Sequence, residues 1–129
     1  MLLLTVQTNI DYVDGDKEVM MSYLPDIYKE FKQQFSEVAN TYDDVATSCN
    51  QWGPLDGRTR RLIKLGIAIG LSSERAVRSH ARRALEESIS PGELRHAVLM
   101  ASTTAGHPAM IASMKWVDEV IEKSGQEIL

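Results

Sequence analysis

Leu55-Asp56-Gly57-Arg58-Thr59-Arg60-Arg61-Leu62-Ile63-Lys64-Leu65-Gly66-Ile67-Ala68-Ile69-Gly70-Leu71 is the stretch whose reading decides the fold. It opens polar and basic and is nearly all apolar from Leu62 onward. Its β-branched residues would suit a strand, but Ala, Leu and Lys dilute that signal and no alternation of period two is present. The stretch therefore reads as a helix over about 58–71. A helix apolar on nearly every side is expected to be buried on most of its faces. Gly66 and Gly70, four apart, offer a flat strip where another helix backbone can approach closely.

Working outward, Ser72-Ser73 supplies a cap for a helix over about 74–87, with Ala76, Val77, His80, Ala81, Ala84 and Leu85 along one face. Ser90-Pro91-Gly92-Glu93 has the form of a capping box, in which Ser90 accepts from the Glu93 amide and the Glu93 side chain bonds back. The helix it starts carries Leu94, Ala97, Val98 and Ala101 and should end near Ala105-Gly106. His107-Pro108 opens the last helix, with Ile111, Met114, Val117 and Ile121 expected to face inward. Upstream, two glycines and a proline break the chain between Gln51 and Gly57. Before that break, a helix from Pro25 to about Tyr42 or beyond places Ile27, Phe31, Phe35 and Val38 on one face. Residues 1–23 show no sustained period, and Asp14-Gly15-Asp16 marks a turn, so they read as an N-terminal arm to a helical domain over 24–129. Five to six helices and no convincing strand make the chain all-α.

A chain of 129 residues has the length of one self-sufficient domain. Hydrophobic residues at 43% and charged residues at 25% exclude a disordered, fibrous or disulfide-stapled chain. The net charge of −4 speaks against a general nucleic-acid binder. That average conceals a pattern. Residues 1–55 carry three basic and nine acidic side chains, residues 56–85 eight basic and two acidic, and residues 86–129 three basic and seven acidic. An acid or anion meeting this protein should meet it at the basic middle, formed by Arg58, Arg60, Arg61, Lys64, Arg75, Arg78, Arg82 and Arg83. The plainer alternative is that these are solvated helix faces, or arginines paired with acidic flanks of a neighbouring subunit. Cys49, the single cysteine, permits no intramolecular disulfide and no cysteine-built zinc cage, which fits a reducing cytoplasm. Met1-Leu2-Leu3-Leu4 is too short to span a membrane and lacks the flanks of a secretion signal, so no membrane association is expected.

Three histidines are the candidates for proton chemistry near neutral pH. His80, His96 and His107 are too far apart in sequence to form a local metal-binding pair, so neither a metal nor another cofactor is expected. His80 stands out because it interrupts the apolar face of its helix. It is either a core histidine satisfied by a backbone carbonyl or a group aimed into a pocket. His96 follows Arg95 beside its helix's apolar stripe and suits solvent or a subunit contact. His107 stands at a helix start, where side chains often cap. Nucleophilic chemistry has little support. No basic neighbour activates Cys49, and the chain has neither a serine elbow nor a glycine-rich phosphate loop.

Several of these segments together resemble the carboxymuconolactone decarboxylase and alkyl-hydroperoxidase-D superfamily. The run from Leu55 to Ile69 is similar to its "LDxKTRELIALAVAIA" helix, and Leu24-Pro25-Asp26-Ile27-Tyr28 to its "LPELYEAF" opening. Arg78-Ser79-His80, Ala84-Leu85, Ser90-Pro91-Gly92-Glu93-Leu94 and Thr104-Ala105-Gly106-His107-Pro108-Ala109 follow at matching distances, so the resemblance spans about residues 24–123. It implies an alkyl-hydroperoxidase-D-like bundle with a central helical hairpin, completed by association into a homo-oligomer, commonly a trimer or hexamer. The redox members carry Glu-(x)11-Cys-x-x-Cys-x-x-x-His. Aligned on His80, Ser73 and Ala76 fall on the cysteine positions and Arg61 on the glutamate. Serine and alanine form no disulfide, and arginine stays protonated and cannot act as a base, so dithiol peroxidase chemistry is not expected.

The cysteine-free decarboxylase branch is the better likeness. Decarboxylating an acidic lactone takes an electron sink, a proton donor and cations that hold carboxylates. On this reading His80 is the acid/base residue, Arg61 or Arg78 binds the carboxylate of a small acidic substrate, and Ser73 and His107 complete the substrate site. The competing reading is a catalytically degenerate member, an oligomeric ligand-binding or scaffold protein, prompted by the residues at positions 61, 73 and 76.

Overall fold

A computed structural model of the protein describes residues 26–128 and divides the chain into two compact units, residues 1–54 and 55–129. The first unit contains α1 (Asp26–Gln34) and α2 (Ser36–Gln51). The second contains α3 (Gly57–Gly70), α4 (Glu74–Glu86), α5 (Pro91–Met100), a 3-10 turn (Ala101–Thr103) and α6 (His107–Lys123). No strand occurs among the described residues, and the fold is all-α. No helix among them is long and apolar enough to cross a membrane. The arm expected over residues 1–23 lies outside the described residues.

The single helix expected from Pro25 past Tyr42 is two helices, interrupted at Phe35 (φ −126°, ψ 50°). That break invalidates a periodicity counted straight through it. Ile27, Phe35 and Val38 are exposed, and the buried ring is Tyr28, packed with Phe31 and Tyr42. Tyr28 and Phe31 stack at 6.5 Å, and Phe31 meets Phe35 at 5.1 Å. Lys32 ties α1 to α2 through Asp43 at 3.2 Å. Burial, with the Asp43 carboxylate and Tyr42 nearby, pushes the Tyr28 hydroxyl up to about 12.

In the second unit the caps expected at Ser73 and Ser90 are present, and Asp56 caps a third helix start. Asp56 accepts from the Thr59 amide at 2.8 Å, Ser73 from Ala76 at 3.4 Å and Ser90 from Glu93 at 3.1 Å. The Glu93 carboxylate also forms an ion pair with Arg58 of α3. Two of the links between helices are serine turns. Ser72 (φ 52°) and Ser88 (φ 69°) take the left-handed conformation that lets Ser73 N–H reach the Ala68 carbonyl at 3.1 Å and Ile89 N–H reach the Ala84 carbonyl at 2.9 Å. These turns stop α3 and α4 sharply, and α3 and α4 pack along each other as a helical hairpin.

Leu65, Ile69, Val77, Ala81, Ala84, Ile89, Leu94, Val98, Val117 and Ile121 form the core between α3, α4, α5 and α6. Burying each larger aliphatic chain contributes about 1.5–3 kcal/mol before entropy is set against it. Three expectations are corrected. α3 is not buried on most sides: Ile63, Ile67 and Leu71 are exposed, because the core takes up the stripe of Arg61, Leu65, Ala68 and Ile69 with Leu62 at its margin. α5 ends at Met100, and the chain tightens into a 3-10 turn in which the Ala101 carbonyl accepts from Thr104, Ala105 and Gly106. Gly106 (φ 109°) instead precedes α6, where its backbone conformation would strain any other residue. On α6, which starts at His107 as expected, Val117 and Ile121 are buried and Met114 packs against the core, but Ile111 points outward and Met110 and Ser113 are buried in addition.

Candidate functional site

α4 presents Ala76, Val77, Ala81 and Ala84 to the core, and His80 lies among them, only 4% exposed. α3 brings Arg61, 2% exposed, against it from its first turns. Arg61 NH1 stands 2.8 Å from His80 Nδ1. On its other side the guanidinium grips Glu87 with two parallel bonds, Nε to Oε1 at 2.9 Å and NH2 to Oε2 at 2.8 Å. Glu87 is the residue that ends α4, and the Ser88 turn immediately after it holds its backbone in place.

Guanidinium N–H groups only donate. Nδ1 of His80 is therefore the acceptor of the Arg61 bond, and the proton of the neutral ring lies on Nε2. A proton on Nδ1 would set an N–H against an N–H. The bidentate carboxylate satisfies the buried cation that makes this bond, with the planar geometry that arginine favours.

The other residues singled out by sequence lie in other contacts. Ser73 Oγ is spent on the α4 cap. Arg78, two positions from His80 and so on a different face of α4, donates to Glu74 Oε2 at 2.9 Å and Glu119 Oε1 at 2.6 Å. Those two carboxylates raise the Arg78 affinity for its proton, Glu119 foremost, and the Arg78 hydrogen bond holds the Glu119 carboxyl below the usual range. His107 Nδ1 lies 3.0 Å from Ser102 Oγ at an exposed position. The structure thus joins Arg61 and His80 and adds Glu87, which the sequence reading missed. Two signals pointed to Glu87: it lies seven residues after His80, two helical turns along the same face, and a buried arginine requires a counter-charge.

The basic middle of the sequence is largely answered from within the chain. Arg61 meets Glu87, Arg78 meets Glu119, Arg58 meets Glu93 and Arg83 lies 3.9 Å from Glu86, so acids of the third segment meet cations of the second. Arg60 NH1 donates to the Leu55 carbonyl just before α3. Among the described residues no three His, Cys, Asp or Glu side chains gather as metal ligands. Cys49, in α2, is exposed.

The sequence profile of the carboxymuconolactone decarboxylase family matches residues 36–119. The 4-carboxymuconolactone decarboxylase of Acinetobacter baylyi is 26% identical over 117 residues, which cover 86% of this chain and 80% of that protein. A nitrosuccinic acid decarboxylase of Metarhizium robertsii is 33% identical over 73 residues, 54% of this chain and 51% of that protein. No solved structure matches the chain. With close to two-thirds of its length under the family profile, the chain belongs to the carboxymuconolactone decarboxylase family.

Proposed function

We propose that the protein is a metal-free decarboxylase or lactone-processing enzyme for a small acidic substrate, with His80 as its acid/base residue. The observation that carries this reading is the buried His80, oriented by Arg61 so that an N–H is presented at Nε2. The names of the two relatives add chemistry. A carboxylated lactone and a nitro-substituted dicarboxylic acid both have a group that can take up the electron pair left when carbon dioxide departs. A substrate of that class carries its own electron sink, and the protein needs to hold it and stabilise the anion that forms. Dithiol peroxidase chemistry is not part of the proposal, since Ser73 and Ala76 carry no thiol.

We further place the chain as a homo-oligomer, a trimer or hexamer, in a reducing cytoplasm. The exposed Ile63, Ile67 and Leu71 beside Gly66 and Gly70 support an association surface on α3. Light scattering at micromolar concentration tests it, and a monomeric mass would remove it.

The activity test is turnover on carboxylated lactones and nitro-substituted dicarboxylic acids, read as carbon dioxide release. His80→Gln should lower kcat/KM by about 100-fold or more, the usual scale for loss of a proton-handling side chain. The closed ion pair of Arg61 with Glu87 favours one competing reading, a ligand-binding or scaffold protein in which the cluster is structural. Absence of turnover across the panel, together with ligand binding indifferent to His80→Gln, would establish that alternative.

A further inference from the structure

We infer that α2 carries a self-association surface, the stripe Phe35, Val38, Tyr42, Val45, Cys49 and Trp52, and that its partner is the same stripe of a second copy of this chain. The six residues follow one another at alternating intervals of three and four. That spacing sets side chains along one edge of a helix and recurs at the core positions of paired helices. Helical backbone continues through Trp52 (φ −64°, ψ −37°), so the stripe runs the whole length of α2. Burial falls on the neighbouring side of the helix, at Ala39 and Ala46, and Tyr42 packs with Tyr28 of α1. The rest of the stripe is open. Phe35, Val38 and Val45 are each more than half exposed, Trp52 is 88% exposed, and Cys49 is exposed as well.

The chemistry of the stripe and its border selects a copy of itself. No Asp, Glu, Lys or Arg stands in the stripe, and the helix positions that border its open side are the uncharged Gln34, Thr41 and Ser48. Glu37 and Asp44 lie further around the helix, and Asp43 is held by Lys32 of α1. Two copies brought face to face therefore set no like charges against each other, whereas an acidic or basic partner would find no counter-charge on this face. The open area of these side chains is roughly 500 Å² per copy, so a pair would bury about 1,000 Å², the lower edge of what a specific interface needs. Trp52 is of the residue type that most often anchors such a contact. The described part of the first unit buries one large side chain, Tyr28, and a second copy supplies the apolar contact that α1 and α2 lack. This surface is separate from the glycine strip of α3, which belongs to the second unit, and the inference stands whatever reaction the protein performs.

Cys49, the single cysteine, reports on the stripe in the full-length protein. Its labelling rate with a fluorescent maleimide is measured across micromolar protein concentrations, beside the mass from light scattering. The rate should fall about tenfold as concentration rises, over the same range in which the mass rises. Val45→Glu sets a charge in the middle of the stripe on both copies, so it should lower the mass and keep Cys49 reactive at every concentration. Val38→Glu should do the same. Both side chains are exposed in the chain, so each variant should keep the helical circular dichroism of the wild type at high dilution. Ile67→Glu, on α3, should leave Cys49 shielded at high concentration, which separates this contact from association through α3. A labelling rate independent of concentration, or shielding that survives Val45→Glu and Val38→Glu, would overturn the inference. A thiol shielded at every dilution in a protein of monomeric mass would overturn it too, since the chain would then cover its own stripe.

Discussion

Arg61 and Arg78 stand on neighbouring helices, carry the same charge and each meet two side chains, yet their surroundings give them different work. Arg61 is sealed at 2% exposure and links a carboxylate to a histidine. Arg78 keeps 26% of its side chain in solvent and links two carboxylates, Glu74 and Glu119, which are themselves exposed. Water can take over either partner of the outer pair at little cost. At the inner pair it can reach only Glu87, whose side chain is 36% exposed. Burial therefore makes one arginine an obligation of the fold and leaves the other an accessory to it.

The strongest way to break this contrast is Glu87→Ala, which strands a buried guanidinium. A loss of about 3 kcal/mol is expected in urea unfolding, at the lower edge for a buried pair because part of Glu87 is already hydrated. Arg61→Met should cost less than half as much, since Glu87 can turn to water while methionine fills the space. Equal losses from the two substitutions would show that Arg61 is not the desolvated partner.

Ser113 sharpens the comparison from the other side. Its hydroxyl is fully buried on α6 with no hydrogen-bond partner among the described residues, so it resembles Arg61 in burial but lacks the compensation. Ser113→Ala is expected to stabilise the protein by about 1 kcal/mol, read as a higher denaturation midpoint with an unchanged slope.

Ser88→Gly tests the turn that presents Glu87. Relief of a left-handed serine should add about 0.5–1 kcal/mol, read as a higher midpoint in urea unfolding. The smallest effect belongs to Glu119→Gln. The folded Glu119 carboxyl is depressed by Arg78, so its stabilisation is present above the ordinary carboxylate range and fades as pH falls through it. Melting temperatures of wild type and Glu119→Gln should differ slightly at pH 7, less in high salt, and converge in acid.

The helices of the second unit were legible because local chemistry marks their ends. Ser73 and Ser90 cap in the structure as their positions in the sequence suggest. The first unit was less so, since nothing around Phe35 signals a break, and an apolar stripe counted through it selected Ile27 and Val38 in place of Tyr28. The site was half visible. His80 announced itself as a polar residue in an apolar stripe, and alignment brought Arg61 to the same cluster. Glu87 stayed hidden because its link to Arg61 crosses 26 residues and two helices, and a charge at a helix end reads by default as solvated. The basic middle was read as a surface for an anion, yet four of its arginines face acids from the chain's own third segment, a pairing that only the packing of α3, α4, α5 and α6 reveals.

The outer side of α3 has a consequence for how the protein responds to concentration. A Cβ built at Gly66 or Gly70 meets nothing within 4 Å, so alanine at either site would be accepted by a lone chain and would firm up the helix by about 1 kcal/mol. The same methyl group would hold off any backbone seated on that strip. Gly66→Ala and Gly70→Ala thus turn mass action into a sign: a gain that persists at every dilution describes a helix that faces water, and a gain that reverses as protein concentration rises describes one that faces a copy of itself.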